Sequence, residues 1–134
     1  MLVEDHPVLR NGLEALLSAE GFSVVASTAS ADEALDLLDG AAPDIALVDI
    51  FLGEGGNGID LARAIGARRP EVAVVFYTGH EDRELAVASL DTGARGYVVK
   101  DHPPQELVRA LRMVAAGETY VDARLAPALA AHDG

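Results

Sequence analysis

Short aliphatic runs alternate along the chain with stretches whose apolar positions recur every three or four residues. The first run is only Leu2-Val3. A helix follows, with Pro7 suited to its first turn, Leu9, Leu13, Leu16 and Leu17 on one face, and Gly21 behind it. Phe22–Ala26 reads as a second strand. Ser30 and Glu33 form a capping box that opens a helix through Leu38, closed by Gly40. Ile45–Val48 reads as a third strand, followed by the glycine-rich loop Gly53–Gly58 and a helix over Ile59–Ala67 that stops before Pro70. Val72–Tyr77 reads as a fourth strand, Glu81–Thr92 as a helix closed by Gly93, and Tyr97–Val99 as a fifth strand. Pro104–Ala116 closes the series, with Leu107, Leu111 and Val114 at i, i+4 and i+7. Glu118–Gly134 is Ala-rich, is broken by Pro127, and reads as a linker or short frayed helix, with His132 in that tail.

Strands that are apolar on both faces, each followed by a helix, are the pattern of a parallel sheet covered on both sides. Right-handed crossovers then favour one economical α/β topology, a doubly wound five-stranded parallel sheet of order 2-1-3-4-5, the flavodoxin-like arrangement. Ligands of such sheets sit beyond the carboxyl ends of the strands. The opening strand is shorter than the usual five or six residues, from which we expect the natural start to lie upstream or residues to have been lost.

Composition narrows the function. The chain has 134 residues, which fits one domain, no Cys, and a formal net charge of −12. Without Cys there is no disulfide framework, thiolate zinc site or cysteine nucleophile. The acidic balance argues against direct nucleic-acid binding, which needs a basic footprint. No apolar run approaches a membrane span, and Glu4 and Asp5 stand where a secretory signal would carry base. We therefore expect a cytoplasmic protein with no membrane partner.

The strand ends carry the candidate chemistry: Glu4 and Asp5 after the first, Asp49 after the third, Thr78 after the fourth and Lys100 after the fifth. Strands one and three are neighbours in the expected order, so three carboxylates converge. Their mutual repulsion is relieved by a hard divalent cation, and a few carboxylates with water suit Mg²⁺. Lys100 is the single Lys among ten basic residues, a compact ammonium suited to phosphate or carboxylate. Together these parts suggest phosphoryl chemistry, with Asp49 as nucleophile, the cation on the equatorial oxygens, and Lys100 and the Thr78 hydroxyl binding the remainder.

The segments Val3-Glu4-Asp5-His6-Pro7, Asp44–Asp49, Tyr77-Thr78-Gly79 and Gly93–Lys100 resemble, in order and spacing, the receiver domain of bacterial two-component response regulators. The resemblance covers residues 1–117, and residues 118–134 remain as linker. It implies that Asp49 accepts phosphate from a sensor histidine kinase. It implies Mg²⁺ held by Glu4, Asp5, Asp49 and the Phe51 carbonyl, with Thr78 and Tyr97 as the switch pair. Asp91–Tyr120 looks most like the NarL/FixJ subfamily, whose LuxR-type helix-turn-helix is not in this sequence. The implied role is a signalling switch in transcription regulation, not an enzyme. Its output would be a phosphorylation-dependent homodimer or partner binding through the fourth helix, fifth strand and fifth helix.

Other readings compete. A receiver-like interaction module that is never phosphorylated is the main alternative. A haloacid-dehalogenase-type phosphatase would want Asp where Phe51 stands. Gly53–Gly58 spells G-x-G-x-x-G, yet it follows the third strand, carries Glu54 toward any pyrophosphate, and lacks a ribose-binding acid on the next strand. His6, His80 and His102 lie on the same rim and could form a transition-metal site. Apolar Phe51 is expected to slow loss of a phosphoryl group.

Overall fold

The computed structural model describes residues 1–79 and 82–123. Its core is a parallel sheet of order β2-β1-β3-β4-β5-β6, built from Leu2–Val3, Ser27–Thr28, Ile45–Val48, Ala73–Thr78, Gly96–Val99 and Tyr120–Val121 as β1 to β6. Five helices connect them: Pro7–Ala19 (α1), Ala31–Ala41 (α2), Gly58–Arg68 (α3), Arg83–Leu90 (α4) and Pro104–Ala115 (α5). The doubly wound expectation holds, with the order 2-1-3-4-5 extended by one strand.

Strand alternation sorts the core into two layers. Val3, Ala46, Val48, Val74, Phe76, Tyr97 and Val99 pack with buried residues of α2, α3 and α4 on one face. Leu2, Leu47, Val75, Tyr77 and Val98 pack with Leu13 and Leu17 of α1 and with Leu107, Leu111 and Val114 of α5 on the other.

The structure corrects the sequence reading in three places. The second strand is Ser27–Thr28 rather than Phe22–Ala26, because the parallel register sets Ser27 beside Leu2. Residues 22–25 precede the paired register. A cavity of about 330 Å³ lies there instead, lined by Met1, Phe22, Val24, Val25, Asp44 and Ile45 among others. Next, α2 runs through Gly40 to Ala41, and Ala42 takes the left-handed cap conformation (φ 44°) in place of a glycine. Lastly, the tail is not all linker: past Gly117 (φ 88°), Tyr120 and Val121 pair with Gly96 and Tyr97 as the sixth strand. Glu81, the expected start of the fourth helix, and the rest of the expected tail from residue 124 lie outside the described residues.

Central β1 is short but fully engaged. Leu2 and Glu4 N–H groups donate to the carbonyls of Ala26 (2.9 Å) and Thr28 (3.0 Å), while Leu47 and Asp49 donate to those of Met1 (2.9 Å) and Val3 (3.0 Å). The first two bonds tie β1 to β2, and the last two set the ends of β1 and β3 side by side.

Candidate functional site

Continuing the alternation past the last paired residues puts Glu4, Asp49 and Lys100 on the α1/α5 side of the sheet edge, and Thr78 on the other. The contacts agree. The Lys100 ammonium donates to Glu4 Oε1 at 2.7 Å and to Asp49 Oδ2 at 2.8 Å, bridging residues that are 96 and 51 positions away in sequence. The second Asp49 oxygen accepts the Phe51 N–H at 3.3 Å, and Glu4 Oε2 accepts that of His6 at 3.2 Å.

Asp5 completes the acid cluster. One carboxylate oxygen each from Glu4, Asp5 and Asp49 fall within 4.8 Å of one another. Gly53, at φ +58°, faces Asp5 so closely that a Cβ there would stand 3.1 Å from its Oδ2. Three carboxylates at this separation fit a hard divalent cation by their donor chemistry. Glu4, Asp5 and Asp49 are the residues that would hold it.

Electrostatics follow from burial. Glu4 is almost wholly buried, and desolvation raises its carboxyl above the ordinary range despite the opposing Lys100 hydrogen bond. Burial alone would lower the Lys100 ammonium, but its bonds to Asp49 and Glu4 outweigh that and hold it above its usual value. Lys100 is firmly cationic and is committed to two acids.

Thr78 is fully buried at the end of β4, where its carbonyl accepts the Lys100 N–H at 2.8 Å. Tyr97 is likewise without exposed surface, packed in the layer under α2 to α4. Phe51, by contrast, is 48% exposed. The glycine loop begins with a 3₁₀ turn over Gly53–Gly55, and Phe51 pairs with Asn57 across it. A Cβ on Gly58 would collide with the Asp49 carbonyl and one on Gly55 with the Ala29 carbonyl, so Gly58 serves close backbone packing beside the acid and Gly55 packs the loop against the chain after β2. Of the three rim histidines, His80 lies outside the described residues, and His102 Nε2 is engaged with Asp122. Among the described residues the acids alone form a candidate metal cluster.

Two neighbours escaped the sequence reading. The Tyr77 ring lies 5.7 Å from the Lys100 ammonium, a cation–π distance, and Arg10 Nη1 donates to the Glu4 carbonyl at 2.9 Å. Tyr77 was legible in principle, since period two turns it from Thr78 toward the lysine.

Residues 1–112 match the family described as the response regulator receiver domain. The chain belongs to this family. The receiver domain is 40% identical over 131 residues to the DNA-binding transcriptional activator DevR/DosR of Mycobacterium tuberculosis, covering 97% of this chain and 60% of that protein. It is 33% identical to the nitrate/nitrite response regulator protein NarL of Escherichia coli, covering 98% and 61% respectively. It thus spans about 60% of the length of these curated relatives. Among solved structures, a LuxR-family two-component response regulator from Aurantimonas superposes with a TM-score of 0.91 at 34% identity, covering 99% of this chain and 95% of that one. No helix among the described residues is long and apolar enough to cross a membrane.

Proposed function

We propose that this receiver domain is a phosphoryl-accepting switch whose acceptor is Asp49 and whose donor is a phosphohistidine of a sensor kinase. The observation that carries the reading is the Lys100 ammonium bridging Asp49 and Glu4 beside Asp5. In the transfer an Asp49 carboxylate oxygen forms a bond to phosphorus as the P–N bond to histidine breaks, and the electron pair leaves with the imidazole. A Mg²⁺ held by Glu4, Asp5, Asp49 and the Phe51 carbonyl supplies charge neutralisation for the phosphoryl oxygens when bound.

The chain's own residues do the rest. Lys100 can exchange a carboxylate for a phosphoryl oxygen without leaving its place over Tyr77. Thr78 offers a hydroxyl from the adjacent strand end. Phosphorylation adds charge and three acceptor oxygens at one spot, and a two-state element answers it. Thr78 ends β4 beside β5, and Tyr97 lies in β5 on the α4 side while α5 packs on the other side of that strand, so the output reading is dimerisation or partner binding through the α4, β5 and α5 elements. Relatives named as a DNA-binding transcriptional activator and a nitrate/nitrite response regulator support a role in gene control.

The test is intact mass after incubation with phosphoramidate and Mg²⁺. One phosphoryl increment, absent in Asp49→Ala, is the expected result. No increment in the parent chain would favour an interaction module that works without phosphate.

A further inference from the structure

The sixth strand and the residue that follows it are held by polar side chains as well as by backbone. The Tyr120 hydroxyl donates to Glu106 in the first turn of α5. The Asp122 carboxylate has no exposed surface and is engaged by His102 Nε2. Asp122 also donates its N–H to the Tyr97 carbonyl at 3.0 Å, and Tyr120 donates to that of Arg95 at 3.0 Å. A carboxylate buried to this degree persists only with partners, so the pair with His102 is a structural commitment.

His102 stands two residues after Lys100, in the turn between β5 and α5. That turn is tied on one side to β4, through the Lys100 N–H on the Thr78 carbonyl at 2.8 Å. On the other side it is tied to β6 through His102. The ammonium at the acid cluster is thereby hung from a short bridge with an anchor at each end.

We propose that His102 and Asp122 are positioning residues for Lys100: β6, three places from β3 in the sheet order, sets where the ammonium meets Asp49 and Glu4. Linkage makes the coupling reciprocal, so a phosphoryl group that draws Lys100 to itself also alters the hold on β6 and on the chain leaving it. The effect on phosphorylation rate rests on the acceptor role proposed for Asp49; the placement of Lys100 does not.

The two are separable because Lys100 is the only Lys in the sequence. Labelling with ¹⁵N-lysine yields one amide resonance, and its hydrogen exchange reports the bond to Thr78 in the resting protein. His102→Ala and Asp122→Ala should each speed that exchange about tenfold. His102→Gln, whose amide nitrogen reaches a similar point and can donate to Asp122, should restore it. Tyr120→Phe, which loosens β6 from α5 but spares the pair, should leave it within about twofold. With phosphoramidate and Mg²⁺, His102→Ala should lower the maximal phosphorylation rate about tenfold while the half-saturating donor concentration stays within about twofold.

Unchanged Lys100 exchange in both alanine variants overturns the proposal, as does failure of the glutamine to rescue, or an equal effect of Tyr120→Phe. If exchange responds while the parent takes up no phosphoryl group, the acceptor role fails and the positioning role stands.

Discussion

Replacing Lys100 by Met keeps the length of the stem and deletes the ammonium, which leaves Glu4 and Asp49 facing each other. The side chains of those acids are only 2% and 10% exposed, against 23% for Lys100. Breaking a buried ion pair from one side costs about 3–5 kcal/mol. Partial exposure of the lysine, and the freedom of Glu4 to take up a proton, place this case lower, at about 2–3 kcal/mol at pH 7. With a urea slope of about 1–3 kcal/mol per molar, the unfolding midpoint should fall by about 1–2 M in the absence of divalent cation. The sign of the pH dependence is fixed by Glu4. Burial already raises its carboxyl above 4.5, and without the ammonium it rises further. The folded state then binds a proton that the unfolded chain has released, so the deficit shrinks as pH falls from 7 toward 4.5. Adding Glu4→Gln should recover most of the loss at pH 7. Urea titrations monitored by circular dichroism at several pH values measure all of this. A Lys100→Met protein as stable as the parent at pH 7, or a deficit that does not shrink on acidification, would refute the compensation described for the three side chains.

Gly58→Ala should cost at least about 2 kcal/mol in thermal or urea unfolding, because the methyl group meets the backbone of Asp49 and Ile50 and not a side chain that can turn aside. Phe51→Asn should shorten the lifetime of the phosphorylated protein, measured by decay of the mass increment, since the exposed ring at the mouth of the site is replaced by a group that can hold water; an unchanged decay would remove Phe51 from that role. In the chain beginning at Met1, burial lowers the α-ammonium from 8.0 to about 6, so the unfolded chain keeps a proton that the folded one has shed. Stability should therefore climb between pH 6 and pH 8 by about 2–3 kcal/mol at most from this group, and N-terminal acetylation should abolish that part of the slope.

Much of the architecture is legible because continuous apolar runs alternate with helices written in period 3.6. Leu47, Val75 and Val98 against Leu107, Leu111 and Val114 is a pattern any reader of the sequence can pair. The acid cluster was legible for a related reason: in a parallel sheet of this order, residues after the first and third strands have nowhere to go but together. Local boundaries were harder. Phe22–Ala26 has the composition of a strand, but a strand also needs a neighbour's backbone, and composition does not report the register. β6 was hidden by its brevity, as two residues show no period. The Lys100–Glu4 bond is only half legible: an ammonium suited to phosphate or carboxylate does not by itself say which carboxylate it meets, whereas a buried Glu4 demands a counter-charge at rest. His102 was read as a rim residue, and nothing local in the sequence connects it to an aspartate twenty positions on.

The two-residue strand at the centre of the sheet carries a neighbour on each side. The Met1 nitrogen donates to the Ile45 carbonyl at 2.8 Å, and the Met1 carbonyl receives Leu47. The Leu2 and Glu4 amides hold β2 while the Met1 and Val3 carbonyls hold β3, so this short strand is what joins β2 to the rest of the sheet, and a slip of its register would move Glu4 away from Asp49 and Lys100 at once.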